Sequence, residues 1–143
     1  MRTITALKLS EEGANAVLQA ALEKARSFGV SVSIAVVDDG GHLMSFARMD
    51  GVELYTIAIA QAKGRGAALT RFPTGKKSPT GNERTDHHAL AITLAAGTDS
   101  FVTIPGGAPI ILDGHCLGAV GVSGAGEKDR EIALSAARAL ETG

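Results

Sequence analysis

Four residues able to do chemistry fall within six positions: Glu83, Asp86, His87 and His88. A carboxylate beside an imidazole raises the imidazole's pKa and orients its ring. If Glu83 and His87 share one helical turn, they form an i,i+4 pair. Such a pair suits general acid–base catalysis, or two ligands to one metal ion or haem iron. His87 and His88 are the candidate metal ligands. The plainer reading is a solvated helix start, with Asp86 as its cap.

Other candidates are scattered. Arg48 ends a strand pattern beside Asp50. Its guanidinium fork suits a substrate carboxylate or a haem propionate, and the alternative is a surface pair worth little. Lys63 lies on a helical face with Thr56, Ile59, Ala60 and Ala67. It reads as an anion anchor or a desolvated base, or else its stem runs along apolar surface to solvent. Tyr55 is the only tyrosine, a proton donor or ferric-iron ligand if it is not amphipathic packing. Gly106, Gly107 and Gly124 offer backbone N–H groups to a ligand, or serve turn geometry alone. His42 and His115 follow tight turns and are expected to face solvent. The single cysteine, Cys116, has no partner for an internal disulfide and reads as a small buried hydrophobe.

Standard motifs fail. Gly75-Lys76 is followed by Lys77 where a phosphate loop needs Ser or Thr. Gly64-Arg65-Gly66 and Gly124-Ala125-Gly126 lack the third glycine of a dinucleotide fingerprint. Gly121-Val122-Ser123-Gly124-Ala125 has Ala where a nucleophile elbow needs its last Gly.

Composition narrows the classes further. The chain has 143 residues, a length suited to one domain over 1–143. With 14 Lys+Arg against 15 Asp+Glu the net charge is -1, so no basic footprint invites nucleic acid. No apolar run approaches the roughly 20 residues that span a bilayer. Met1-Arg2-Thr3-Ile4 lacks a signal-peptide pattern. The expectation is a cytoplasmic protein with no nucleic-acid or membrane partner. Five aromatics, four Phe and one Tyr, count mildly against packing a flat porphyrin.

The elements that must position these residues follow from periodicity. Ala14, Val17, Leu18, Ala21, Leu22 and Ala25 recur at helical spacing between Ser10 and Phe28. Val30 to Val37 alternates as a strand, Asp38-Asp39-Gly40-Gly41 turns, and 42–49 returns. A helix is predicted from Val52 to about Thr70, with a break or frayed end near Gly64. Phe72 to Arg84 is polar and rich in Pro and Gly, hence a mobile or functional loop. A short helix is predicted from Thr85 or Asp86 to Ala96, and a strand at Phe101–Ile104. A hairpin follows around Asp113-Gly114, then a last helix with Glu127 and Asp129 in its first turn. Short links between strands require antiparallel pairing. The fold class is α+β, an antiparallel sheet of about five strands with helices packed on it.

The sequence resembles the GlcG/HbpS family, also called the haem-degrading domain family and related to the C-terminal domain of PduO-type proteins. Ser33-Ile34-Ala35-Val36-Val37-Asp38-Asp39-Gly40-Gly41-His42-Leu43 resembles its first half, with Phe46 to Gly51. Ile104-Pro105-Gly106-Gly107-Ala108-Pro109-Ile110, Asp113-Gly114 and Gly118 to Ala125 with Asp129 resemble its second half. Lys63 fits the family's helical lysine. The resemblance implies a profilin-like α+β fold assembled as dimers to octamers, and members that bind haem, a corrinoid or iron. It departs in two places: Ser10 to Phe28 holds no histidine, and 76–88 is longer and more polar than usual.

Three functions stay open. One is a haem- or tetrapyrrole-binding protein, with haem degradation as an extension. A second is a small catabolic enzyme acting by acid–base or metal-assisted chemistry on a small carboxylate or an intermediate of aromatic degradation, with Arg48 or Lys63 as anion anchor. The third is a non-catalytic oligomeric accessory protein. Alanine-rich helices with flat faces predict a symmetric homo-oligomer.

Overall fold

The computed structural model describes residues 1–141. Its elements are α1 (Glu11–Ser27), β1 (Ser33–Asp38), β2 (Leu43–Arg48), α2 (Thr56–Thr70), α3 (Asp86–Ala96), β3 (Gly107–Leu112), β4 (His115–Ser123) and α4 (Lys128–Ala137). The strands form one antiparallel sheet in the order β2-β1-β4-β3. This is the expected α+β class.

The two faces of the sheet differ in side-chain size. Ile34, Val36, Ile110, Val120 and Val122 face α1 and α4 and make the main core. Period two sends Ser33, Ala35, Val37, Ala119 and Gly121 to the other face, where α2 packs. These residues are small, so α2 sits very close. A Cβ at Gly121 would lie 2.0 Å from the Ala60 carbonyl oxygen and 2.4 Å from the Gly64 nitrogen. That approach also explains why α2 does not break at Gly64, as propensity alone predicts. The helix runs unbroken to Thr70 because Gly121 and its small neighbours let it pack tightly on the sheet, which outweighs the propensity cost of Gly64. Its start is Thr56 rather than Val52.

Local signals account for the ends. Ser10 Oγ accepts from the Gly13 N–H at 2.9 Å and caps α1. Asp38 Oδ1 accepts from the N–H groups of Gly40 and His42, both at 2.9 Å, and fixes the first hairpin. Asp113 and Gly114 both have positive φ, 51° and 79°, as a two-residue hairpin turn requires.

The expected strand count is corrected. The sheet has four strands, because Phe101–Ile104 joins no ladder. Thr74 occupies the place beside β3: its N–H donates to Gly107 O at 2.9 Å, and its hydroxyl bridges the Gly107 N–H and Ile104 O. The breaker-rich 72–84 segment is a folded strap. The backbones of Lys77 and Glu83 pair in a single antiparallel bridge, Ser78 N–H donates to Asn82 O, and Arg84 N–H donates to Lys76 O.

Candidate functional site

The predicted residues separate into two regions. Lys63, Gly106, Gly107, Gly124, Arg48 and Tyr55 gather toward one end of the sheet. Glu83, His87 and His88 lie on the strap and α3.

At the sheet end, Lys63 is 2% exposed. Its Nζ donates to Val122 O at 2.9 Å and to Asp129 Oδ2 at 3.1 Å. Asp129 folds back from the first turn of α4 and also accepts from the N–H groups of Ala125 at 2.8 Å and Gly124 at 3.4 Å. Burial pulls the Lys63 ammonium below its ordinary pKa, and the charge and hydrogen bond of Asp129 oppose that pull. Lys63 therefore neither snorkels to solvent nor stands ready for an external anion. Its charge is already matched inside the protein.

The glycines serve the same packing. A Cβ at Gly106 would lie 2.8 Å from Lys63 Nζ, and one at Gly107 would lie 2.3 Å from Lys63 O. The N–H of Gly107 is taken by Thr74 and that of Gly124 by Asp129. These two N–H groups are spent on the fold, which corrects their reading as ligand donors. Arg48 is exposed at the end of β2, across from Ser33. Tyr55 precedes α2 and is exposed.

The second region is open. α3 is capped by Thr85, whose Oγ1 accepts from the His88 N–H at 3.1 Å. Glu83 lies before that cap, where its backbone pairs with that of Lys77. The expected Glu83–His87 pair on one helical turn is thus corrected: the turn begins at Asp86. Among the described residues no three His, Cys, Asp or Glu side chains come together to hold a metal ion, so His87 and His88 gain no third donor.

Of the eleven residues of α3 only Ala89 is buried. At 3.6 residues per turn, His87, Leu90, Ala91 and Leu94 share one side, and His88 lies a further 100° round. Leu90 is 59% and Leu94 67% exposed. This stripe is apolar, faces solvent and begins with an imidazole. Beside it runs a groove of about 320 Å³, lined by Lys76, Asp86, Ala89, Leu90, Thr93 and the 102–104 segment. Lys76 pairs with Asp86 at its edge. The hydrogen bond between them holds the ammonium above and the carboxyl below their ordinary values. Arg84 lies 5.2 Å from the centre of the Phe101 ring and closes the strap over it.

Sequence reasoning missed Asp129 as the partner of Lys63, placing it in an acidic first turn and in the family motif without linking it to the lysine. It also missed the Lys76–Asp86 pair, which joins residues ten apart across a folded strap. The signal for the first was a lysine on an otherwise apolar helix face. No pattern in the sequence announces the second.

Fold and site define a small α+β protein with a lysine sealed under its sheet and a histidine-bearing helix left open. The chain belongs to the HbpS-like family of haem degrading proteins, whose model matches residues 9–138. Protein GlcG of Escherichia coli strain K12 is 40% identical over 126 residues, covering 83% of this chain and 84% of GlcG. A solved double mutant of Streptomyces reticuli HbpS is 28% identical, with a TM-score of 0.79 over 96% of this chain and 90% of that one. A solved complex of PduOC with haem shares the fold, with a TM-score of 0.70 at 24% identity over 94% of this chain and 95% of that one.

Proposed function

We propose that this protein binds haem on the outward side of α3. The observation that carries the reading is the exposed stripe of His87, Leu90, Ala91 and Leu94. A haem site needs a ligand for iron and apolar surface for the ring, and this stripe supplies both. The His87 and His88 rings form no hydrogen bond or ion pair among the described residues, so their nitrogens are free to ligate. Family membership and the haem complex of PduOC support the same ligand.

His87 holds the iron in this reading, and Leu90, Ala91 and Leu94 lie against the ring. His88 points elsewhere on the helix and serves its surface. Bound haem would supply the redox chemistry of its iron, and the chain's own residues bind, orient and shield it. A corrinoid would meet the same apolar stripe and imidazole. Haem degradation is an extension of this reading.

The catabolic-enzyme alternative loses two parts. Lys63 is sealed against Asp129, and Glu83 does not share a turn with His87. The accessory-protein reading shares its surface with the haem reading. Leu54, Tyr55 and Leu69 on and beside α2 add to the exposed apolar area of α3, and a homo-oligomer buries such surface. No helix among the described residues is long and apolar enough to cross a membrane.

Titrating hemin into the protein and recording the absorbance spectrum tests the reading. A saturable Soret shift at micromolar hemin is expected. Hemin that stays spectrally free at a tenfold excess of protein would overturn it.

A further inference from the structure

The groove beside the α3 stripe is apolar along most of its length and charged at one end. Ala89, Leu90, Val102 and Ile104 line it, and Lys76 and Asp86 meet at the first turn of α3. The two partners differ in how they are held. Both residues border the groove, the Lys76 side chain 40% exposed and the Asp86 side chain 93% exposed. Asp86 is not the helix cap, because Thr85 performs that role. The more exposed Asp86 carboxylate has room to turn into solvent, while the less exposed Lys76 is held closer to the groove. The start of α3 adds partial positive charge at the same place. Glu83 is the second anion acting on Lys76.

We infer that Lys76 receives a carboxylate of the tetrapyrrole held on α3, and that its pair with Asp86 is the ligand-free arrangement which that carboxylate displaces. This rests on the haem reading above and adds an anchor for the acidic edge of the ring. An ammonium at the end of an apolar groove matches a molecule with a flat apolar body and carboxylates on one side. Asp86 then acts as a competitor: it occupies Lys76 until a ligand carboxylate replaces it.

Metal-free protoporphyrin IX separates this contact from iron ligation, and its dimethyl ester removes the carboxylates. Binding is read by porphyrin fluorescence and the Soret band. Lys76→Met is expected to weaken protoporphyrin IX binding about two- to fivefold, the scale of one exposed ion pair. Lys76→Arg restores it, and Asp86→Asn tightens it about two- to fivefold. None of these variants changes binding of the ester. If wild type binds protoporphyrin IX and Lys76→Met matches it, or weakens acid and ester alike, the Lys76 anchor is wrong and the α3 site survives. If wild type binds neither porphyrin nor hemin, the site itself is wrong.

Discussion

Lys63 and Asp129 lie 66 residues apart in the chain and meet at 3.1 Å, both buried, where α2 and α4 approach the end of β4. The pair ties the helix on one face of the sheet to the helix on the other. Removing one partner leaves the other charge buried and unmatched. Lys63→Met is expected to lower stability by about 3–5 kcal/mol. Pairing it with Asp129→Leu recovers much of that loss, because two apolar groups replace two charges. Urea denaturation of both single variants and the double variant measures the coupling. Additive losses would contradict the pairing.

The seam between α2 and the sheet makes a contrast between two glycines. Gly121→Ala drives a methyl toward the Ala60 carbonyl, 2.0 Å away, and is expected to cost 3 kcal/mol or more, at or above the usual ~1–3 kcal/mol of overpacking. Gly64→Ala meets nothing closer than 3.4 Å and gains about 1 kcal/mol of helix propensity. It should be near neutral. Thermal melts of the two variants check the difference, and equal losses would contradict the packing described.

Asp38 makes one turn sensitive to acid. Burial is the largest single influence on Asp38 and raises its pKa, but the N–H groups of His42 and Gly40 and the His42 ring together outweigh it, so it lies below 3.8. A carboxyl with a lowered folded-state value contributes stability that is present above its unfolded pKa. That contribution is lost as pH falls through the folded value. Asp38→Asn should therefore be less stable than wild type at pH 6, with the gap closing below about pH 3.8. Denaturant midpoints at pH 6 and pH 3 measure it. A gap that stays constant would show that the charge of Asp38 contributes nothing.

Exposed Leu54, Leu69, Leu90 and Leu94 predict self-association. Light scattering at micromolar concentration should return a mass of at least twice 14.6 kDa. Leu90→Ser with Leu94→Ser should lower that mass if α3 forms part of the contact. A monomer mass for wild type would contradict the prediction.

Much of the fold was legible because it rests on local signals. Ala14 to Ala25 carry the α1 stripe, and Asp113-Gly114 carries a turn that few other dipeptides favour. The Gly64 break and the fifth strand were misread because both depend on distant partners. Gly64 is held by Gly121, and the space beside β3 is filled by Thr74. The site was half legible for the same reason. His87 stood out by residue type, but its supposed partner Glu83 lies beyond the Thr85 cap. Lys63 was noticed as a lysine on an apolar face, yet its purpose depends on Asp129.

The central claim is that His87 on the open side of α3 ligates haem. Hemin titrations of wild type, His87→Ala and His88→Ala, followed at the Soret band, test it most directly. His87→Ala should lose the wild-type band and bind at least tenfold more weakly, with added imidazole restoring the band. His88→Ala should match wild type. A His87→Ala protein with the wild-type spectrum and affinity would contradict the account.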